Sequence, residues 1–155
     1  MKILSGWLVL GMLLCGAGPA GAGEGALVVV DPWIRAAPPA AQALAVYLTL
    51  KNPGRQEQVV VGMRSPLFSK VELHATVTKD GVSRMEARER LPVPAAGEVS
   101  MAPGGLHGML LAPQKVLQPQ DRVPMTLLLS DGTRVEFEAE VRAGPGGGHG
   151  AHPGH

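Results

Sequence analysis

Apolar and polar positions alternate in short runs along most of this chain, with turn-forming residues between the runs. Val46, Leu48 and Leu50 interleave with Tyr47, Thr49 and Lys51, the two-residue period of a strand with one buried face. Residues 27–30 form a similar run and lead into Asp31-Pro32-Trp33-Ile34-Arg35. The run through Val46 and Leu50 spans residues 43–50, and further runs occupy residues 58–63, 71–77, 82–87, 99–102, 106–111, 123–129 and 134–141. Pro38-Pro39 and Asn52-Pro53-Gly54 break the chain between runs, as expected of residues that fix or free the backbone at turns. Asp80-Gly81 and Asp131-Gly132 lie between runs able to pair as hairpins. No stretch holds a 3.6-residue period for the length of an ordinary helix. Roughly seven to nine short strands with frequent turns predict an all-β fold, a Greek-key barrel or sandwich. No internal repeat is visible.

The two ends depart from this pattern. Lys2 precedes an apolar run over residues 3–14, followed by the small residues Cys15-Gly16-Ala17-Gly18-Pro19-Ala20-Gly21-Ala22. That order is the one of a secretory signal peptide, and the run is short for a retained membrane anchor. Ala20-Gly21-Ala22 offers a cleavage site, which assigns residues 1–22 to the signal and starts the mature chain at Gly23. Lipidation at Cys15 is the lesser option, because Leu14 is bulky where that processing favours a small residue. At the other end, residues 144–155 are rich in glycine and histidine. They have nothing to bury and are expected to form a disordered tail. A single domain over residues 23–143 remains, which suffices for one core and is short for two.

Charge narrows the partners. Of 14 basic and 13 acidic residues, Lys2 leaves with the signal, so the mature chain is balanced and carries no charge block. Nucleic acid and acidic membrane are therefore not indicated, and no stable membrane insertion is expected after cleavage. Cleavage after Ala22 would also remove Cys15, the single cysteine. No disulfide framework is then available, and the fold must rest on its core. Aromatics make up 3% of the chain, so that core is expected to be largely Val, Leu and Ala.

Four residues carry candidate chemistry: His74, Met85, His107 and Met109. Strand alternation puts His107 and Met109 on one face, while Leu106 and Leu110 face the other. Gly108 would keep the space between the two donors open. His74 and Met85 lie either side of Asp80-Gly81. A four-residue hairpin loop would put them directly opposite, and a two-residue loop would offset them diagonally on one face. A three-residue loop would separate them onto opposite faces. Taken singly, a histidine in a strand is usually a surface or hydrogen-bonded residue and a methionine is usually core filler. Met63, Met101 and Met125 stay with that plain reading. As a set, two imidazoles and two thioethers suit monovalent copper. Structural zinc prefers thiolate, imidazole and carboxylate, and a blue-copper electron carrier needs a cysteine thiolate. Nothing frames a hydrolytic triad. A thiol-free His/Met set fits Cu(I) held for transfer by a carrier, not a catalyst.

At these residues the chain resembles the periplasmic copper chaperones called PCuAC, which are similar to cupredoxins in fold. The family signature is a His, ten residues, a Met, twenty-one residues and then His-x-Met. His74, Met85 and His107-Gly108-Met109 stand at that spacing. Asp31-Pro32-Trp33-Ile34-Arg35, Glu72-Leu73-His74, Pro103-Gly104-Gly105 and Met109-Leu110-Leu111 also look like the family. Ala75 stands where some members carry a methionine, at a variable position. The resemblance spans residues 28–141. It implies a cupredoxin-like Greek-key barrel binding one Cu(I) through those four residues. It further implies delivery to the binuclear copper centre of cytochrome c oxidase, on subunit II, or exchange with a Sco-type thiol protein. We expect a monomer that works in the periplasm.

His149, His152 and His155 recur at every third position of the tail, and imidazole suits Cu(II); a secondary Cu(II) position there is the functional expectation, a featureless soluble end the plain one. Ligation needs neutral imidazole, so copper binding is expected to weaken as pH falls through the histidine range. The competing reading is an exported β-domain for adhesion or assembly, in which the histidines and methionines are incidental.

Overall fold

In the computed structural model, residues 25–143 are described. The expected signal region and cleavage position, Cys15 and the tail histidines lie outside them. The described chain is all-β, as the alternating pattern predicts, with ten strands. These are β1 (Val28–Arg35), β2 (Ala43–Asn52), β3 (Gln58–Arg64), β4 (Phe68–Lys79) and β5 (Val82–Ala87), then β6 (Leu91–Val93), β7 (Gly97–Met101), β8 (Leu106–Pro113), β9 (Arg122–Leu129) and β10 (Arg134–Arg142).

The strands form one sheet in the order β5-β4-β8-β2-β1-β10-β9-β3-β6, with β7 paired to the remaining part of β2. β1 and β10 run parallel, and every other pairing is antiparallel. Chain neighbours such as β2 and β3, or β8 and β9, are separated in the sheet, which is the Greek-key signature. β2 is the hub. Its first half pairs with β8 and its second half with β7, while β1 lies along its other edge.

One face of the sheet encloses a single core. Leu44, Val46, Leu48 and Leu50 of β2 point into it, with Val123, Met125, Leu127 and Leu129 of β9 and Ala139 and Val141 of β10. The expected Val/Leu composition holds, but Met63, Met101 and Met125 supply more of the filling than alanine does. Buried Asn52 ties the β2–β3 turn together. Its amide nitrogen donates to the Gln56 and Val93 carbonyls, and its oxygen accepts from the Gly54 N–H and from Gln58.

Two local features set which side chains face outward. Asp31, at φ 47°, marks a bulge in β1, where the register against β2 shifts by one between Val30 and Trp33. The extra residue reverses the alternation, so Ile34 enters the core beside Val46 and Trp33 points outward beside Tyr47. The β4–β5 hairpin closes through Asp80 (φ 52°) and Gly81 (φ 77°), with Lys79 paired to Val82. This is the two-residue loop with both central residues left-handed, a form whose twist matches that of the flanking strands.

Candidate metal centre

The outer face of β8, β4 and β5 carries the candidate donors. His74 on β4 pairs directly with His107 on β8, and their ring centroids lie 5.9 Å apart. Met109 is two residues along β8 from His107 and stands opposite Glu72 of β4. The two-residue hairpin loop pairs Thr76 with Met85 and His74 with Ala87. Met85 is therefore diagonal to His74 and, by strand alternation, on the same face. The register puts all four residues on one side of three adjacent strands.

Exposure is graded across the set. His107 is 7% exposed and Met85 is 61% exposed, with His74 and Met109 between them. His107 is buried although it points away from the core. Tyr47 lies beside it with ring centroids 6.5 Å apart, and Trp33 covers Tyr47 at 4.7 Å. The β1 bulge is what brings Trp33 into this row.

Gly108 does not act as expected. It faces the core, where an added Cβ would stand 2.5 Å from Val46 Cγ1 and 3.5 Å from Met63 Sδ. Its smallness lets β8 lie close against the core; it does not space His107 from Met109.

Both imidazoles are held by acceptors. His107 Nδ1 lies 3.1 Å from the Gly105 carbonyl. His74 Nε2 lies 3.0 Å from Glu72 Oε2, and the other carboxylate oxygen of Glu72 meets the Lys70 ammonium. The hydrogen bond from Lys70, then that from His74, holds the Glu72 carboxyl below its ordinary range. Among the described residues, two buried side-chain nitrogens lack a hydrogen-bond partner, Arg35 Nε and His74 Nδ1. Glu72 and Tyr47 had no assigned role in the sequence reading. Glu72 was accessible to it, two residues before His74 on the same strand face. Tyr47 was not, because nothing local says that β2 lies next to β8.

Among the described residues, no three His, Cys, Asp or Glu side chains are gathered as a metal cluster. A metal held on this face would draw on the thioethers, which favours a soft ion.

Among solved structures, the fold is shared with PCuAC domains. Superposition gives a TM-score of 0.66 with the copper-bound PCuAC domain from PmoF2, at 24% identity over 79% of this chain and 97% of that one. The Cu(I) form of DR1885 from Deinococcus radiodurans gives 0.61, at 28% identity over 81% of this chain and 83% of that one. Residues 27–141 match the family model described as putative lipoprotein LpqE-like, and the chain belongs to that family. Putative lipoprotein Lxx21020 of Leifsonia xyli subsp. xyli is 34% identical over 115 residues, which cover 74% of this chain and 68% of that protein.

Proposed function

We propose that this protein is an exported copper chaperone that binds one Cu(I) through His74, Met85, His107 and Met109 and passes it to a partner. The observation that carries the reading is the convergence of two imidazoles and two thioethers on one face of three adjacent strands. The copper-bound and Cu(I) states of the similar PmoF2 and DR1885 structures support the choice of metal.

The gradient of exposure suggests how the ion would move. His107 is packed under Tyr47, whereas Met85 stands on the outermost strand of the sheet. A partner thiolate would approach from the Met85 side and displace that thioether first, leaving the imidazoles to release last. Recipients consistent with the family are the binuclear copper centre of cytochrome c oxidase and a Sco-type thiol protein. The name of the relatives, putative lipoprotein, supports export. It also keeps a lipidated Cys15 beside cleavage after Ala22, a choice that the mass of the mature N-terminal peptide decides.

Titration of the protein with Cu(I) against a chromophoric chelator tests the reading. One tight equivalent is expected, lost in a His107→Ala/Met109→Ala variant. No competition by the unaltered chain would leave an exported adhesion or assembly module as the surviving account. The same titration with Cu(II), on chains with and without residues 145–155, tests whether His149, His152 and His155 add a second copper.

A further inference from the structure

We propose that Glu72 and the Gly105 carbonyl select which nitrogen of each histidine faces the metal: Nδ1 for His74 and Nε2 for His107. The inference rests on the copper reading above and specifies how that site is assembled. A neutral imidazole carries one N–H and one lone pair, so fixing the proton on one nitrogen leaves the other as the donor. Glu72, when ionised, can only accept a hydrogen bond. Its Oε2 lies 3.0 Å from His74 Nε2, which puts the proton on Nε2 and the lone pair on Nδ1. That Nδ1 is one of the two side-chain nitrogens that, among the described residues, are buried without a partner. A buried polar atom left unpaired is destabilising, and an ion bound there would relieve that.

His107 is arranged the other way round. The Gly105 carbonyl is an acceptor with no proton to give, and it lies 3.1 Å from Nδ1. The proton therefore sits on Nδ1, and Nε2 keeps the lone pair. Metal-bound histidines generally donate their second N–H to a carboxylate or a backbone carbonyl, and this pair uses one of each. Metal–imidazole bonds of about 2 Å allow one ion to reach two rings whose centroids are 5.9 Å apart.

Glu72 is thus a positioning residue that acts through His74. Its second oxygen is engaged by Lys70, which anchors the carboxylate independently of the histidine. His74 and Glu72 lie two residues apart on β4, so the strand itself sets their spacing.

Long-range nitrogen–proton NMR of the histidine rings in the full chain tests the assignment without metal. At neutral pH, His74 should show its proton on Nε2 and His107 on Nδ1. Cu(I) should then shift His74 Nδ1 and His107 Nε2. Glu72→Ala should release His74 into mixed tautomers and weaken Cu(I) binding about 10- to 100-fold. Glu72→Gln, whose amide oxygen still accepts from Nε2–H, should keep the tautomer and most of the affinity. Amide spectra check that both variants are folded. A proton on Nε2 of His107, Cu(I) bound through Nε2 of His74, or equal weakening in the two Glu72 variants would overturn the proposal. If the unaltered chain shows the expected tautomers yet takes up no Cu(I), the copper reading fails and the metal assignment falls with it. Binding through other nitrogens removes only the assignment.

Discussion

Gly108 sits between two candidate donors and serves the opposite side of the sheet. With an added Cβ 2.5 Å from the fully buried Val46, Gly108→Ala must push β8 off β2 or force Val46 from its rotamer. Overpacking of this kind costs about 1–3 kcal/mol, and urea unfolding should show a lower midpoint. An unchanged midpoint would mean that the core yields there. Met85 provides the contrast, because so exposed a side chain leaves no cavity when removed. The sequence makes the shared face of His107 and Met109 legible, since alternation within one strand needs no knowledge of the rest. It misassigns the reason for Gly108, because the pressure on that residue comes from Val46 and Met63, remote in the chain. The contact of His74 with His107 was likewise out of reach. It depends on β4 lying next to β8, a pairing that no local signal specifies.

Turns and bulges decide what the strands present. The Asp80-Gly81 dipeptide is readable as a hairpin, and its two-residue form selects the diagonal placement of Met85 from the registers that alternation allows. β6 is harder to read. Pro92 cannot donate to a ladder and argues against a strand, yet Leu91–Val93 is a three-residue strand at the end of the sheet, where proline is tolerated. The bulge in β1 is hidden in the sequence for another reason: Val29 and Ile34 both pack toward the core although they differ in parity. Asp31 occupies the left-handed position, which aspartate tolerates better than most residues, and its carboxylate accepts a hydrogen bond from Arg142 at 2.7 Å. That hydrogen bond holds the Asp31 carboxyl below its ordinary value. The unfolded chain therefore takes up this proton more readily than the folded one. The stabilisation is present above the ordinary carboxylate pKa of about 3.9 and fades as pH falls through the lower folded value. Solvent screening keeps it under about 1 kcal/mol. Asp31→Asn keeps a residue suited to the bulge and should flatten this part of the acid limb in thermal melts. An unchanged acid dependence would show that the pair contributes nothing.

Across the described residues, the core and the candidate donor face lie on opposite sides of the same strands, so a change to the candidate donors is separable from a change to the core. The all-β class and most strand positions follow from alternation and turn residues alone; the order of strands across the sheet does not, because it is set by packing between distant segments. The methionines divide along the same line. Met63, Met101 and Met125 are buried to within 2–3% exposure, whereas Met85 is 61% exposed on the outermost strand. Thioether oxidation to sulfoxide follows access and turns an apolar donor into a polar one. Dilute hydrogen peroxide should therefore oxidise Met85 well before the three core methionines, with the melting transition unchanged. Peptide mass spectrometry reads the order, and simultaneous oxidation of core and surface methionines would contradict it. The face proposed to offer sulfur to a soft metal thus also offers it to peroxide. Oxidative stress would disarm the candidate donor set while the sheet stayed folded, and a methionine sulfoxide reductase could restore it without refolding the chain.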